Sequence, residues 1–161
     1  LAQVGTIRIG LAKGKNNPAE ITLAGNAVII LGSAVALVTV ALFILIPETL
    51  VGAFIGDDNS DEIELMAYAI PFLAIAAAFQ LFDSFQALMS GLLRGLSDTR
   101  VPMQIAVFAY WGVGVPVAYV LSQYTSLAAN GVWTGLAIGL TLAAVMISHR
   151  YIRREALGLT D

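Results

Sequence analysis

The sequence predicts an all-α integral membrane protein: a polytopic helix bundle of about four transmembrane helices plus the end of a fifth. Three observations carry this. Of 161 residues, 58% are apolar and only 12% charged, about half the charged share of a soluble domain. Residues 21–47 and 101–149 contain no Asp, Glu, Lys or Arg, whereas about 20 predominantly apolar residues suffice to cross a bilayer. The eight basic residues fall in three clusters, around Arg8, Lys13 and Lys15, around Arg94 and Arg100, and around Arg150, Arg153 and Arg154.

Taken in order, residues 1–12 are expected to be a helix stub. The chain does not begin with Met, and Leu1 reads as a cut inside a longer product. No signal peptide is expected, because the basic residues follow the apolar stretch instead of preceding it. Four apolar segments at about 22–46, 66–93, 102–121 and 130–149 follow, then a tail at 150–161. Pro47, Pro102 and Asn130-Gly131 mark their edges, as helix breakers should. At membrane depth the backbone must satisfy its own hydrogen bonds, so these segments are helices; the alternating ten-residue pattern of a barrel is absent.

Basic residues retain short loops in the cytoplasm. The connections at 47–65 and 122–130 contain no Lys or Arg, and the first is acidic through Glu48, Asp57, Asp58, Asp61, Glu62 and Glu64. The expected topology therefore has the Lys13 loop and the C-terminus in the cytoplasm, with a solvated acidic loop outside. A net charge of −3 without a basic run excludes a nucleic-acid partner. With no Cys and only His149, thiolate and His-rich metal sites are excluded as well.

Asp83 is the only charged residue inside the four spans. It lies 11 residues before Arg94, which is about 16 Å of helix and thus near the midplane. A carboxylate there costs about 2.5–3.5 kcal/mol even on the lenient insertion scale. The residue is suited to bind and release a proton or to ligate a small cation. Gln80, Asp83, Gln86, Ser90 and Arg94 share an arc of roughly 120°, and Leu81, Phe82, Phe85, Leu88, Met89 and Leu92 occupy the opposite arc, expected to meet lipid. Gln80, Gln86 and Ser90 read equally as helix-to-helix glue.

Gly131, Gly135 and Gly139 recur every fourth residue, as do Gly91 and Gly95, a spacing that allows close helix approach. Residues 110–116, Tyr-Trp-Gly-Val-Gly-Val-Pro, leave two readings open: a broken helix that lines a site, or a tolerated kink. Asp98, followed by Thr99 and Pro102, reads as a helix start, Arg94 and Arg100 as interfacial anchors, and His149 as a solvated or capping residue.

FQLFDSFQALMSGLLRGLSDTRVP at 79–102, YWGVGVPVAYVL at 110–121 and NGVWTGLAIGL at 130–140 together resemble the multidrug and toxic compound extrusion (MATE) family of secondary transporters. The stub with Arg8, Gly10 and Gly14 is similar to the family's exit from its eighth helix, so the resemblance covers nearly the whole chain. It implies that 1–161 is part of the C-terminal lobe, the second lobe of a twelve-helix, two-lobe transporter in the bacterial inner membrane. The implied activity is antiport, not enzyme catalysis: drugs or organic cations leave in exchange for sodium ions or protons, by alternating access. The implied ion- or proton-binding residue is Asp83, with Gln80, Gln86, Ser90 and Tyr110 as cavity-lining candidates. No catalytic residue, metal site or cofactor is expected beyond the coupling ion. The expected partners are the small-molecule drugs, the lipid bilayer and the missing N-terminal part of the same transporter. Two rival readings are a lipid-linked oligosaccharide flippase of the same superfamily and a non-transporting four-helix membrane subunit. The first calls for basic residues within the spans, and none is present.

Overall fold

A computed structural model of the chain describes residues 1–55, 62–125 and 129–160, and among these there is no strand. Helix α1 (Ala2–Gly14) ends where Asn16 adopts a left-handed φ of 51° and the Asn17 amide donates to the Ala12 carbonyl at 3.1 Å. Helix α2 (Pro18–Leu45) starts at once. Pro18 lacks the amide that a first-turn residue would leave unpaired, and the Asn17 side chain accepts from the Glu20 amide at 3.2 Å. The cap therefore extends this helix four residues before the expected start at 22.

Pro47 restarts the chain as α3 (Pro47–Ile55), and α4 (Glu62–Gly95) begins beyond it. The stretch read as a solvated acidic loop is thus helical at both ends, with Glu48 in the first turn of α3, where a carboxylate suits the helix dipole. Asp57, Asp58 and Asp61 lie outside the described residues. After α4, Ser97 takes a φ of 65° and the Asp98 amide donates to the Leu93 carbonyl at 2.9 Å. Then α5 (Arg100–Val107), a π-helical stretch (Phe108–Gly114) and α6 (Val115–Tyr124) form one rod, and α7 (Ala129–Ile152) completes the bundle. Among the described residues, four helical stretches are long and apolar enough to cross a membrane: Pro18–Leu45, Leu73–Gly95, Arg100–Tyr124 and Asn130–Ile152.

The core lies toward the end of the bundle that carries the basic residues. Ile9, Ile21, Leu92, Leu93, Leu96 and Ile147 are fully buried there. This corrects the expected lipid-facing arc of α4: Leu88, Met89 and Leu92 are buried among α1, α2 and α7, and Phe82 remains exposed. Small residues are the physical reason. A Cβ at Gly91 would stand 2.7 Å from the Ala2 carbonyl oxygen, and one at Gly95 2.8 Å from that of Thr6. With no side chains between them, α1 lies directly on α4, and Thr6 Oγ1 donates to the Gly91 carbonyl at 2.8 Å. Outward-facing apolar residues such as Leu23, Ile30, Val35 and Val38 leave α2 a lipid-compatible flank.

Gly131, Gly135 and Gly139 form the second close seam. A Cβ at Gly139 would sit 2.9 Å from the Ala109 carbonyl oxygen, one at Gly131 2.6 Å from the Leu121 carbonyl carbon, and one at Gly135 would overlap the Ala118 backbone. Helix α7 is thereby pressed along the α5–α6 rod.

At the basic end the chain is tied together by charged side chains. Lys13 Nζ donates to the carbonyls of Leu96 (3.2 Å) and Leu159 (2.8 Å), filling acceptors left open where α4 and the tail end. Arg154 Nη2 reaches Thr22 Oγ1 at 3.2 Å. Asp98 is not the helix start it resembles in sequence. Thr99 occupies that position without a side-chain cap bond, and Asp98 is buried, ion-paired with Arg150 through Nε and Oδ2 at 2.5 Å. Arg94, Arg100 and His149 are exposed.

Candidate ion and substrate cavity

Helix α4, the π-helical stretch and α7 enclose an open cavity of about 640 Å³. Helical spacing on α4 brings Phe79, Gln80 and Asp83 to its wall; the π-helical stretch contributes Tyr110, and α7 contributes Trp133, Leu136 and Leu140. Asp83 is exposed to this space. A second cavity of about 570 Å³ adjoins it, with Phe79 and Trp133 in both walls and Asn130 and Thr134 at its polar edge. The two rings meet edge-to-face, centroids 5.9 Å apart at 85°, a favourable arrangement of aromatic quadrupoles that holds α4 against α7.

Of the residues singled out in the sequence, Gln80, Asp83 and Tyr110 stand in one wall. Gln86 does not line that wall but supports it: its Oε1 accepts from the Tyr110 hydroxyl at 2.6 Å, fixing the phenol from behind. Gln80 Nε2 donates to Ser84 Oγ at 3.3 Å, one turn along its own helix. Ser90, two turns beyond Asp83 and next to the Gly91–Ala2 contact, is half-buried and in neither cavity wall.

The π-helical stretch answers the two readings left open for 110–116. The Val115 amide donates to the Tyr110 carbonyl, five residues back. The rod is widened here and not broken, as π-bulges commonly are beside functional sites.

Phe79 and Trp133 are the wall residues that the sequence reading passed over. Their signal is present: Phe79 precedes Asp83 by one helical turn, and Trp133, two residues from both Gly131 and Gly135, falls on the face of α7 opposite the glycine seam. Among the described residues no group of three His, Cys, Asp or Glu could hold a metal ion. The wall offers a carboxylate, an amide and a phenol against an otherwise apolar and aromatic lining. Such a set suits a single small cation, a proton, or the charged nitrogen of an organic cation seated on the rings.

The family model described as MatE matches residues 2–120. Over 154 residues the chain is 40% identical to "Probable multidrug resistance protein NorM" of Brucella suis, covering 96% of this chain and 33% of that protein. It is 38% identical over 151 residues to "Multidrug resistance protein NorM" of Burkholderia vietnamiensis, covering 94% and 33%. In three dimensions it is similar to the eukaryotic MATE transporter AtDTX14, with a TM-score of 0.80 at 19% identity, over 97% of this chain and 35% of that one. The chain spans about a third of the length of the curated relatives it matches.

Proposed function

This chain belongs to the MatE family, and from that premise we propose that it forms part of a secondary active antiporter that exports drugs or cationic organic compounds in exchange for sodium ions or protons. The observation that carries the proposal is Asp83, the one carboxylate in a cavity wall built from Gln80, Tyr110, Phe79, Trp133 and aliphatic side chains, and exposed there. A cationic drug gains from the ring faces and from the carboxylate together. A coupling cation or proton competes for the same carboxylate, so occupation by one disfavours the other. Exchange follows if the lobes alternate between an outward-open and an inward-open arrangement, because a ligand shifts such a balance only by its differential affinity for the two states. Gln80 and Tyr110 orient the occupant, and Gln86 holds Tyr110 in place. The basic clusters favour a cytoplasmic C-terminus, and the bacterial relatives support a place in the bacterial inner membrane. A lipid-linked oligosaccharide flippase is the weaker reading, since neither cavity wall contains Lys or Arg to meet a pyrophosphate.

The test is Asp83→Asn in the full-length transporter, with drug efflux from energised vesicles as the readout. The amide keeps size and hydrogen bonding but removes the titratable charge, and it is cheaper to bury. Efflux is expected to fall to background at normal membrane abundance, while Gln86→Ala, which only loosens Tyr110, reduces it in part. Undiminished efflux by Asp83→Asn would falsify the assignment and leave this carboxylate a structural role.

A further inference from the structure

We propose that the groove between α5 and α7 at the basic end of the bundle is a binding site for an anionic phospholipid, with the phosphodiester at the arginines and an acyl chain along the groove. The groove encloses about 390 Å³ and lies apart from the two cavities beside Asp83. Its floor is apolar: Val101 and Ile105 from α5, Val145 and Met146 from α7. Its mouth carries His149 and Arg150 from the last turn of α7 and Arg153 just beyond its end.

The chemistry is complementary to one class of occupant. The Arg150 guanidinium is held by Asp98 through Nε, and a guanidinium has further N–H donors in the same plane. It is therefore positioned without all of its donors being used. Arg153 is exposed and has no acidic partner among the described residues. The exposed His149 imidazole adds a further polar group. A chain of net charge −3 thus presents cationic donors where its apolar flank ends, the position of a lipid head group. Free phosphate would have no use for the apolar floor. A zwitterionic lipid would bring an ammonium group that gains nothing from Arg153. An anionic phospholipid uses both parts.

The experiment titrates the delipidated full-length protein in detergent with phosphatidylglycerol, phosphatidylcholine or inorganic phosphate, counting bound molecules by native mass spectrometry. One phosphatidylglycerol is expected to be retained several-fold more tightly than phosphatidylcholine. Arg153→Gln, a change at an exposed side chain, should weaken it about five-fold, the contribution of one basic residue at an anionic membrane surface. Val145→Trp, also at an exposed position, should weaken lipid retention by filling the trough. Arg94→Gln removes an exposed basic residue outside the groove and should leave retention unchanged. Equal retention of the two lipids would overturn the proposal. So would an unchanged value for Arg153→Gln, an equal loss for Arg94→Gln, or displacement of lipid by millimolar phosphate. Monodispersity and an unaltered melting curve establish that each variant is folded.

Discussion

Arg150→Met is expected to destabilise the bundle by about 3 kcal/mol, because it strands the Asp98 carboxylate. That carboxylate retains 7% of its side-chain exposure, against 21% for Arg150. A buried ion pair gains little net stability from its own attraction, but removing one member leaves a charge without compensation, at a cost of about 3–5 kcal/mol. The lower figure applies because Asp98 follows the end of α4, where water is within reach of a modest backbone shift. The reverse deletion, Asp98→Asn, should cost only about 1–2 kcal/mol, since Arg150 is more exposed and can turn to solvent. In the double variant no charge is stranded, so the two costs should not add, and the coupling should reach about 1.5 kcal/mol or more. Equilibrium unfolding of all four proteins in mixed micelles, with increasing mole fraction of SDS, measures each value. Additivity within about 0.5 kcal/mol, or a cost for Asp98→Asn equal to that for Arg150→Met, would refute the reasoning and reduce the pair to a surface contact.

Gly135→Val should abolish the folded yield of the full-length protein, because its Cβ would overlap the Ala118 backbone, as detergent-solubilised monodispersity will report. Gly14→Ala has no atom within 4 Å of the added Cβ and is the last residue of α1, so a gain of about 0.4–1 kcal/mol is expected on the same unfolding scale, and a loss would contradict the open space seen there. This chain contains no cysteine, so in a parent cleared of other cysteines a single one at exposed Gln123 should react with an impermeant thiol reagent in intact cells while one at exposed Lys15 does not. The reverse pattern would invert the topology.

Much of the architecture is legible in the sequence because the bilayer imposes coarse rules. The charge-free runs locate helices long enough to span, and the four-residue glycine spacing marks both close seams, since only an absent side chain lets backbones meet. Asp83 is conspicuous for the same reason: in hydrocarbon a carboxylate is an exception. What the sequence concealed depends on partners distant along the chain. Asp98 carries the local signs of a helix start, yet its role is decided by Arg150, 52 residues away. The apolar arc of α4 looks like a lipid surface because Leu88 and Leu92 would be equally comfortable against lipid or against α1 and α2. Hydrophobicity cannot distinguish two apolar neighbours. The acidic connection reads as a loop because its charges mask the favourable first-turn position of Glu48 and the helix former at Glu62.

The π-helical stretch between Phe108 and Gly114 has a consequence for chain length. Its wide turns take up residues without advancing the helix as an α-helix would, which sets the angular phase of everything downstream. Ala118 meets Gly135 only in the present phase. Loss of one residue anywhere in the stretch could be absorbed by a straight α-helix with every backbone bond intact. Because the wide turns rotate the chain less per residue than α-helical turns do, the shortened stretch would turn the chain about as far as before, and Val115–Tyr124 would keep roughly its present phase. Ala118 would then stay on the glycine seam, whereas a deletion in α6 just ahead of it, with no wide turn to absorb the change, would turn Tyr119 into its place. The stretch is thus the place in the rod where a single-codon deletion is accommodated by both secondary and tertiary structure, and α6 beyond it is not.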